Sequence, residues 1–402
     1  MKTSLATLAV TIPAIAAFAP SSGSAVVPRT NLLGAASTSR LQIANNRIQQ
    51  DLTFTPPDTS IISEELCTAA ASRMKRVMVP VSTDVSDTGY VGVSYIHWKA
   101  SAKASSATAE KICPLMLVHG FDSSSLEYRR LGPKLAALGV DVYCVDLLGW
   151  GYTQLDGVKS FSAQAKVDAL KGFWETVGKN EQVVVGGASL GGAAVIEFAS
   201  QNLYRSGETT DESVRDDGDD YNDSGFVKGT ILIDAQGFVD GIGPISFLPS
   251  PLAKLGIQVL KSTPLRESAN QMSYHDPTTF ATQDALNVGR LHCLREGWEE
   301  SMLSFMQSGG FRPATKVGQI TVPSLVLWGR QDGILKGEEF ANKFVETLPD
   351  GELRWIEECG HVPHLEKPDE TAALIREFLD KVKPERREGV GGIFDGLLSL
   401  MK

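Results

Sequence analysis

No CxxC spacing occurs in this chain, and its five cysteines (Cys67, Cys113, Cys144, Cys293, Cys359) are scattered and odd in number. That pattern excludes a disulfide framework and a zinc site, and it fits a reducing compartment. Basic charge is scarce as well, with 38 Lys and Arg against 48 Asp and Glu. A net charge of −10 leaves no footprint for nucleic acid, which needs a basic face. Neither G-x-G-x-x-G nor G-x-x-x-x-G-K-[ST] is present, so the common phosphate cradles are missing too. There is no internal repeat. No metal or cofactor is expected from these patterns.

Much of the acidity is local. Gly207 to Asp223 holds eight acids and one base, a composition suited to a solvated insertion and unable to support a core. The remaining composition is that of a globular protein, with 42% hydrophobic and 21% charged residues. At 402 residues the chain can form one large domain or two ordinary ones.

The N-terminus reads as an address. Lys2, an apolar stretch from Leu5 to Phe18 and small residues near its end have the form of a signal peptide, too short and proline-broken for a membrane span. Ser21 to Arg47 follows with Ser, Ala and Asn, three arginines and no acid, which is transit-peptide composition. The junction "AAFAP" resembles the bipartite plastid-targeting presequences of diatoms and related algae, in which an aromatic residue follows the cleavage point. Residues 1–50 are therefore expected to direct the chain to a plastid stroma, with secretion as the alternative.

Beyond Arg47, short apolar runs alternate with helical patterns. "GYVGVSYIHWK" has period two. "PLMLVHG", "VDVYCVDLLG", "QVVVGGAS", "VKGTILIDA", "VPSLVLWG" and "GELRWIEECG" are continuous apolar runs ending mostly in Gly, Asp or Ser. Helical segments are expected over Leu126–Leu138, Ala163–Val177, Gly192–Tyr204, Glu338–Leu348 and Asp369–Val382. Together these predict an α/β fold with a mostly parallel sheet covered by helices on both faces. The alternation breaks over 237–311, which reads as a helical cap between two core segments, 75–236 and 312–384. Residues 385–402 form an apolar-spaced tail that could dock on the protein itself or on a membrane.

One corner carries chemistry. Gly187-Ala188-Ser189-Leu190-Gly191 is G-x-S-x-G, with a β-branched run before it and an alanine-rich helical run after it. That is the setting of a nucleophile elbow, which exposes a serine hydroxyl on a strained turn at a helix N-terminus. A serine needs a base to take its proton. Of six histidines, His361 lies after the last strand and before the last helix; His364, three residues on, suits a supporting role. The acid that orients the imidazole should end an earlier strand. Asp332 in "VLWGRQDGIL" is preferred, and Asp234 in "LIDAQG" is its rival.

"LVHGF", "DLLGWG", "GASLGG" and "WGRQD" with "CGHVPHLEKP", in this order, resemble the α/β-hydrolase superfamily from Leu115 to Pro368. "HGFDSSSLEYRRL", "VDLLGWGYT" and "NVGRLHCLREGWEESMLSFMQSGGF" are similar to a plastid-type branch of plants, algae and cyanobacteria. The resemblance implies a serine hydrolase of the esterase, lipase or thioesterase kind. It implies a Ser189–Asp332–His361 triad and an oxyanion hole of the Phe121 and Leu190 backbone N–H groups. Phe121 and Trp150 are candidate substrate-binding walls, His119 a turn-shaping residue, and Asp146 a loop anchor. Ala188 departs from the larger residue many relatives carry. Dehalogenases and epoxide hydrolases of this fold use aspartate at the elbow, a chemistry Ser189 excludes. The expected partner is a small, apolar acyl substrate. A ligand-binding sensor with little turnover is the alternative function. Acyl group, leaving group, membrane association and oligomeric state stay open.

Overall fold

The computed structural model describes residues 49–101, 112–204, 225–242 and 249–384. The targeting segment apart from its last two residues, the acidic stretch 207–223 and the tail 385–402 lie outside the described residues. Two elements precede the expected strands. Helix α1 (Glu65–Ala71) leads into β1 (Met74–Pro80), which pairs antiparallel with β2 (Tyr90–Trp98). Lys75 and Arg76 interrupt the apolar alternation of β1, which is why the sequence pattern does not reveal it. In the fold Arg76 bonds the Asp51 carboxylate at 2.7 Å and its strand still buries Met74, Val77 and Val79.

The parallel part follows as β3 (Leu115–Val118), α2 (Leu131–Ala137), β4 (Val142–Val145), α3 (Ala163–Phe173), β5 (Val183–Ala188), α4 (Leu190–Asn202) and β6 (Val227–Ile233). Next come α5 (Ser250–Lys261), α6 (Thr263–Ser273), α7 (Pro277–Phe280), α8 (Gln283–Leu291) and α9 (Trp298–Gln307). The chain then returns to the sheet with β7 (Ser324–Gly329), α10 (Gly337–Thr347), β8 (Gly351–Ile356), α11 (Pro363–Glu366) and α12 (Pro368–Lys381). The strand order is β1-β2-β4-β3-β5-β6-β7-β8. β2 meets β4 antiparallel, and every pairing from β4 to β8 is parallel.

Burial explains the continuous apolar runs. All residues of β3, β5 and β7 are buried, because helices cover both faces of a parallel sheet. Among the described residues five helices, α5 to α9, replace the usual single crossover between β6 and β7. Among the described residues no helix is long and apolar enough to cross a membrane. All five cysteines are buried.

Two helices differ from the periodicity. The segment expected as Leu126–Leu138 is a 3-10 turn (Ser125–Arg129) followed by α2. Pro133 lacks an N–H and clashes with a carbonyl four residues back, so the helix restarts just before it. Likewise α3 ends at Phe173 and runs on as a π turn, Trp174–Gly178, before Lys179 and Asn180 reverse the chain at φ 51° and 57°.

Candidate active site

The parallel strands deliver their loops to one edge, where β5 presents Ser189. Its φ of 52° and ψ of −122° lie where a non-glycine residue is strained, directly before the first residue of α4. The turn is possible only with glycine on both sides. A Cβ on Gly187 would stand 2.3 Å from the Gly191 carbonyl oxygen, and one on Gly191 would stand 2.4 Å from that of Val118. Backbone bonds lock the corner: Ser189 N–H donates to Ile233 O at 2.9 Å, and its carbonyl accepts from Gly192 and Gln236 N–H, both at 2.9 Å. Ser189 itself is half-buried, and Leu190 N–H heads the α4 dipole beside it.

At the end of β7, Asp332 Oδ2 lies 2.9 Å from His361 Nδ1. Its carboxylate also accepts from Ile334 N–H (2.7 Å), Leu335 N–H (3.0 Å) and the Trp328 indole (3.1 Å). Burial would raise its pKa, but the His361 charge and bond together with those two backbone donors hold it below the ordinary 3.8. His361 is 6% exposed and its N–H donates to Ser273 O at 2.8 Å, at the end of α6.

The rival acid stands next door. Asp234 ends β6, is wholly buried, and accepts the Gly329 N–H at 3.0 Å on Oδ1. Burial first, then the charge of Asp332, push its carboxyl well above 3.8, which favours its neutral form. Atoms of Asp234, Asp332 and His361 lie within 4.8 Å of one another. Three other donors occupy the Asp332 carboxylate beside its bond to His361, and Gly329 N–H occupies Asp234 Oδ1, while Asp234 Oδ2 is buried with no hydrogen-bond partner among the described residues.

The loop after β3 approaches from the other side, where a Cβ on Gly120 would be 3.5 Å from that of Ser189. His119 sets its geometry. Nδ1–H donates to Gly120 O at 2.9 Å, and Nε2 accepts Leu147 N–H at 3.0 Å, a pairing only the neutral ring can make. Burial lowers the His119 pKa accordingly. In a trans peptide C=O and N–H point oppositely, so holding Gly120 O also aims the Phe121 N–H. Glu127 accepts Gly120 N–H at 3.2 Å and meets His364 Nε2 at 2.9 Å. Burial opposes ionisation of Glu127, yet the bond and charge of His364, with His119, hold its pKa at about 2.

Phe121 is 36% exposed, whereas Trp150 is 1% exposed and packs edge-on behind it at 5.4 Å, with Phe305 at 4.9 Å on its other side. Trp150 thus backs Phe121. Asp146 holds Ser94 Oγ and Ser125 N–H at 2.5 Å and Tyr152 N–H at 2.9 Å, joining its own loop after β4 to strand β2 and to the 3-10 turn after β3.

The helices between β6 and β7 grip this edge at polar points that periodicity does not show. Asp122 accepts His292 Nε2 (2.8 Å) and Trp298 Nε1 (2.9 Å) on Oδ1 and bonds the Arg266 guanidinium through Oδ2. Arg295 donates to Gly151 O and Thr153 O at 2.7 and 2.8 Å, and Ser301 Oγ donates to Gly149 O at 2.7 Å. Glu366 accepts Gly360, His275 and Asp276 N–H at 2.7, 3.1 and 2.8 Å, tying the His361 loop to the end of α6. The three stretches that resemble the plastid-type branch therefore bond to one another. Their only sequence signal is charge within an otherwise apolar segment.

The profile described as the Alpha/beta hydrolase family matches residues 115–374. The chain belongs to that family. The Arabidopsis thaliana alpha/beta hydrolase domain-containing protein VTE7 is 31% identical over 326 residues, 81% of this chain and 89% of that protein. Lipase 1 of Psychrobacter immobilis is 23% identical over 68% of this chain and 78% of its own length. Among solved structures, a thermophilic esterase from Thermogutta terrifontis matches with a TM-score of 0.56 and 21% identity, over 76% of this chain and 98% of its own, a likeness of fold.

Proposed function

We propose that this hydrolase cleaves a carboxylic ester or related acyl bond through an acyl-enzyme on Ser189. The observation that carries the reading is the 2.9 Å bond between His361 Nδ1 and Asp332. It fixes the imidazole tautomer and leaves Nε2 to act as the base. Ser189 Oγ attacks the acyl carbonyl as His361 takes its proton, and the Phe121 and Leu190 N–H groups receive the oxyanion. Each such donor is worth about 3 kcal/mol because the charge exists only in the transition state. His361 then protonates the leaving group, and a water that gives its proton to His361 attacks the ester carbonyl and frees Ser189. The exposed Phe121 ring suits an apolar acyl group.

Incubation with a fluorophosphonate should label one serine per chain, and Ser189→Ala should abolish labelling. Labelling that survives this substitution would sink the reading. Labelling without repeated turnover of esters, lactones or thioesters would instead favour a ligand sensor on the same scaffold.

A further inference from the structure

Asp122 follows Phe121 directly and sits at φ 47°, a left-handed conformation that aspartate tolerates better than most side chains. Its side chain is 5% exposed, and its three described side-chain donors come from separate parts of the helical insertion. They are Arg266 on α6, His292 in the 3-10 turn after α8, and Trp298 at the start of α9. Arg266 reaches further, donating to Leu260 O at 3.0 Å and Gly289 O at 2.9 Å, so one guanidinium joins α5, α6 and α8 to the loop after β3. An apolar seam of the same volume would be as stable as this buried charge array, and such arrays are best attested where they specify position.

We propose that Asp122 is a positioning residue through which the helical insertion holds the Phe121 backbone in the geometry that receives the oxyanion. The two sides of that peptide are then held by different layers of the protein. His119, on the sheet side, grips Gly120 O, and Asp122 anchors the following residue to the insertion. Burial works against an ionised Asp122, but the charge and bond of His292, then Arg266 and Trp298, keep it below the ordinary 3.8. A displacement of α6 or α9 would thus be passed to the Phe121 backbone through the bonds to Asp122.

The inference rests on the acyl-enzyme reading for its catalytic consequence, though not for its structural one. Asp122→Asn keeps the volume and the left-handed backbone while removing the charge. Its kcat should fall about 10- to 100-fold with KM within twofold, less than the loss expected on deleting an oxyanion donor. Affinity for a boronic acid that mimics the tetrahedral state should fall by the same factor as kcat/KM. Trp298→Phe, which removes one donor and keeps the packing, should act in the same direction more weakly. Amide exchange over residues 120–123 should quicken at least tenfold in Asp122→Asn, whether or not any ester is turned over. Unchanged exchange in a folded Asp122→Asn, or in Trp298→Phe should the first fail to fold, overturns the proposal. So does a loss that falls on KM alone. If exchange quickens while the wild type resists fluorophosphonate, the clamp stands and the acyl-enzyme reading falls.

Discussion

Asp122 and Asp234 occupy matching places on opposite sides of Ser189. Each follows a parallel strand, each is buried, and each has a left-handed backbone, with φ 47° and 41°. Their ionisation tendencies are opposite. Asp122 faces a guanidinium, an imidazole and an indole N–H, and it is held ionised. Asp234 has one backbone donor on Oδ1, while the charges of Asp332 and Glu366 act with burial to push its carboxyl up. Burial raises both carboxyls; the donor set decides which one keeps its charge. Burial beside a histidine is therefore no evidence that an aspartate is ionised.

The largest effect should come from Asp332→Asn, which leaves His361 without the ion that orients it. Turnover on the best ester should fall on the order of 10⁴ in kcat with the melting temperature little changed. If Asp234→Asn causes that collapse instead, the neutral assignment is wrong and the acid moves to β6.

Stability should separate the two sites next. Asp122→Leu leaves Arg266 and His292 buried without their carboxylate, and breaking such an array costs about 3–5 kcal/mol in denaturant unfolding. Asp234→Asn replaces a carboxyl whose neutral form burial favours by an amide of its size, and should cost less than about 1 kcal/mol. Equal losses would mean that both carboxyls carry charge.

The pH dependence sharpens the contrast because the signs oppose. The Asp122 pKa is lowered on folding, so its stabilisation is complete above the unfolded value near 3.8 and is lost as pH falls through the folded value. The Asp234 pKa is raised, so folding keeps a proton that the unfolded chain sheds above 3.8, and stability declines as pH rises towards the folded value. Each full proton difference is worth about 1.4 kcal/mol per pH unit. Relative to wild type, Asp234→Asn should gain stability as pH rises above 3.8, while the deficit of Asp122→Asn should shrink below it. Parallel curves for the two variants would erase the distinction.

The smallest effect is on catalysis by Asp234→Asn, whose amide still fills the space beside Asp332. Activity within a few-fold of wild type is expected, with an unshifted acid limb in the kcat/KM profile, since no charge next to His361 has changed.

Much of this was legible before any coordinates. The apolar runs marked seven of the eight described strands, and G-x-S-x-G between a β-branched run and an alanine-rich helix marked the Ser189 corner. The strand β1 was hidden because Lys75 and Arg76 break its pattern, and the helix over 126–138 was overextended because Pro133 acts on a carbonyl outside the periodic face. The pairings of Asp122, Glu127, Arg266, His292 and Glu366 are not legible in the sequence, since a polar or charged residue in a loop or on a cap helix reads as solvated until its partner is known.

Chain order and residue type by themselves determined the sheet, the elbow and the order serine, acid, histidine. These depend on local periodicity and on glycines at fixed spacing, which a sequence records directly. Only the tertiary structure decided which buried carboxylate lies 2.9 Å from His361, which one has its pKa pushed up, and that the insertion reaches back to Asp122 across 144 and 170 positions. Ionisation in a desolvated site is set by the donors within a few ångströms, and those donors arrive from parts of the chain that no local pattern connects.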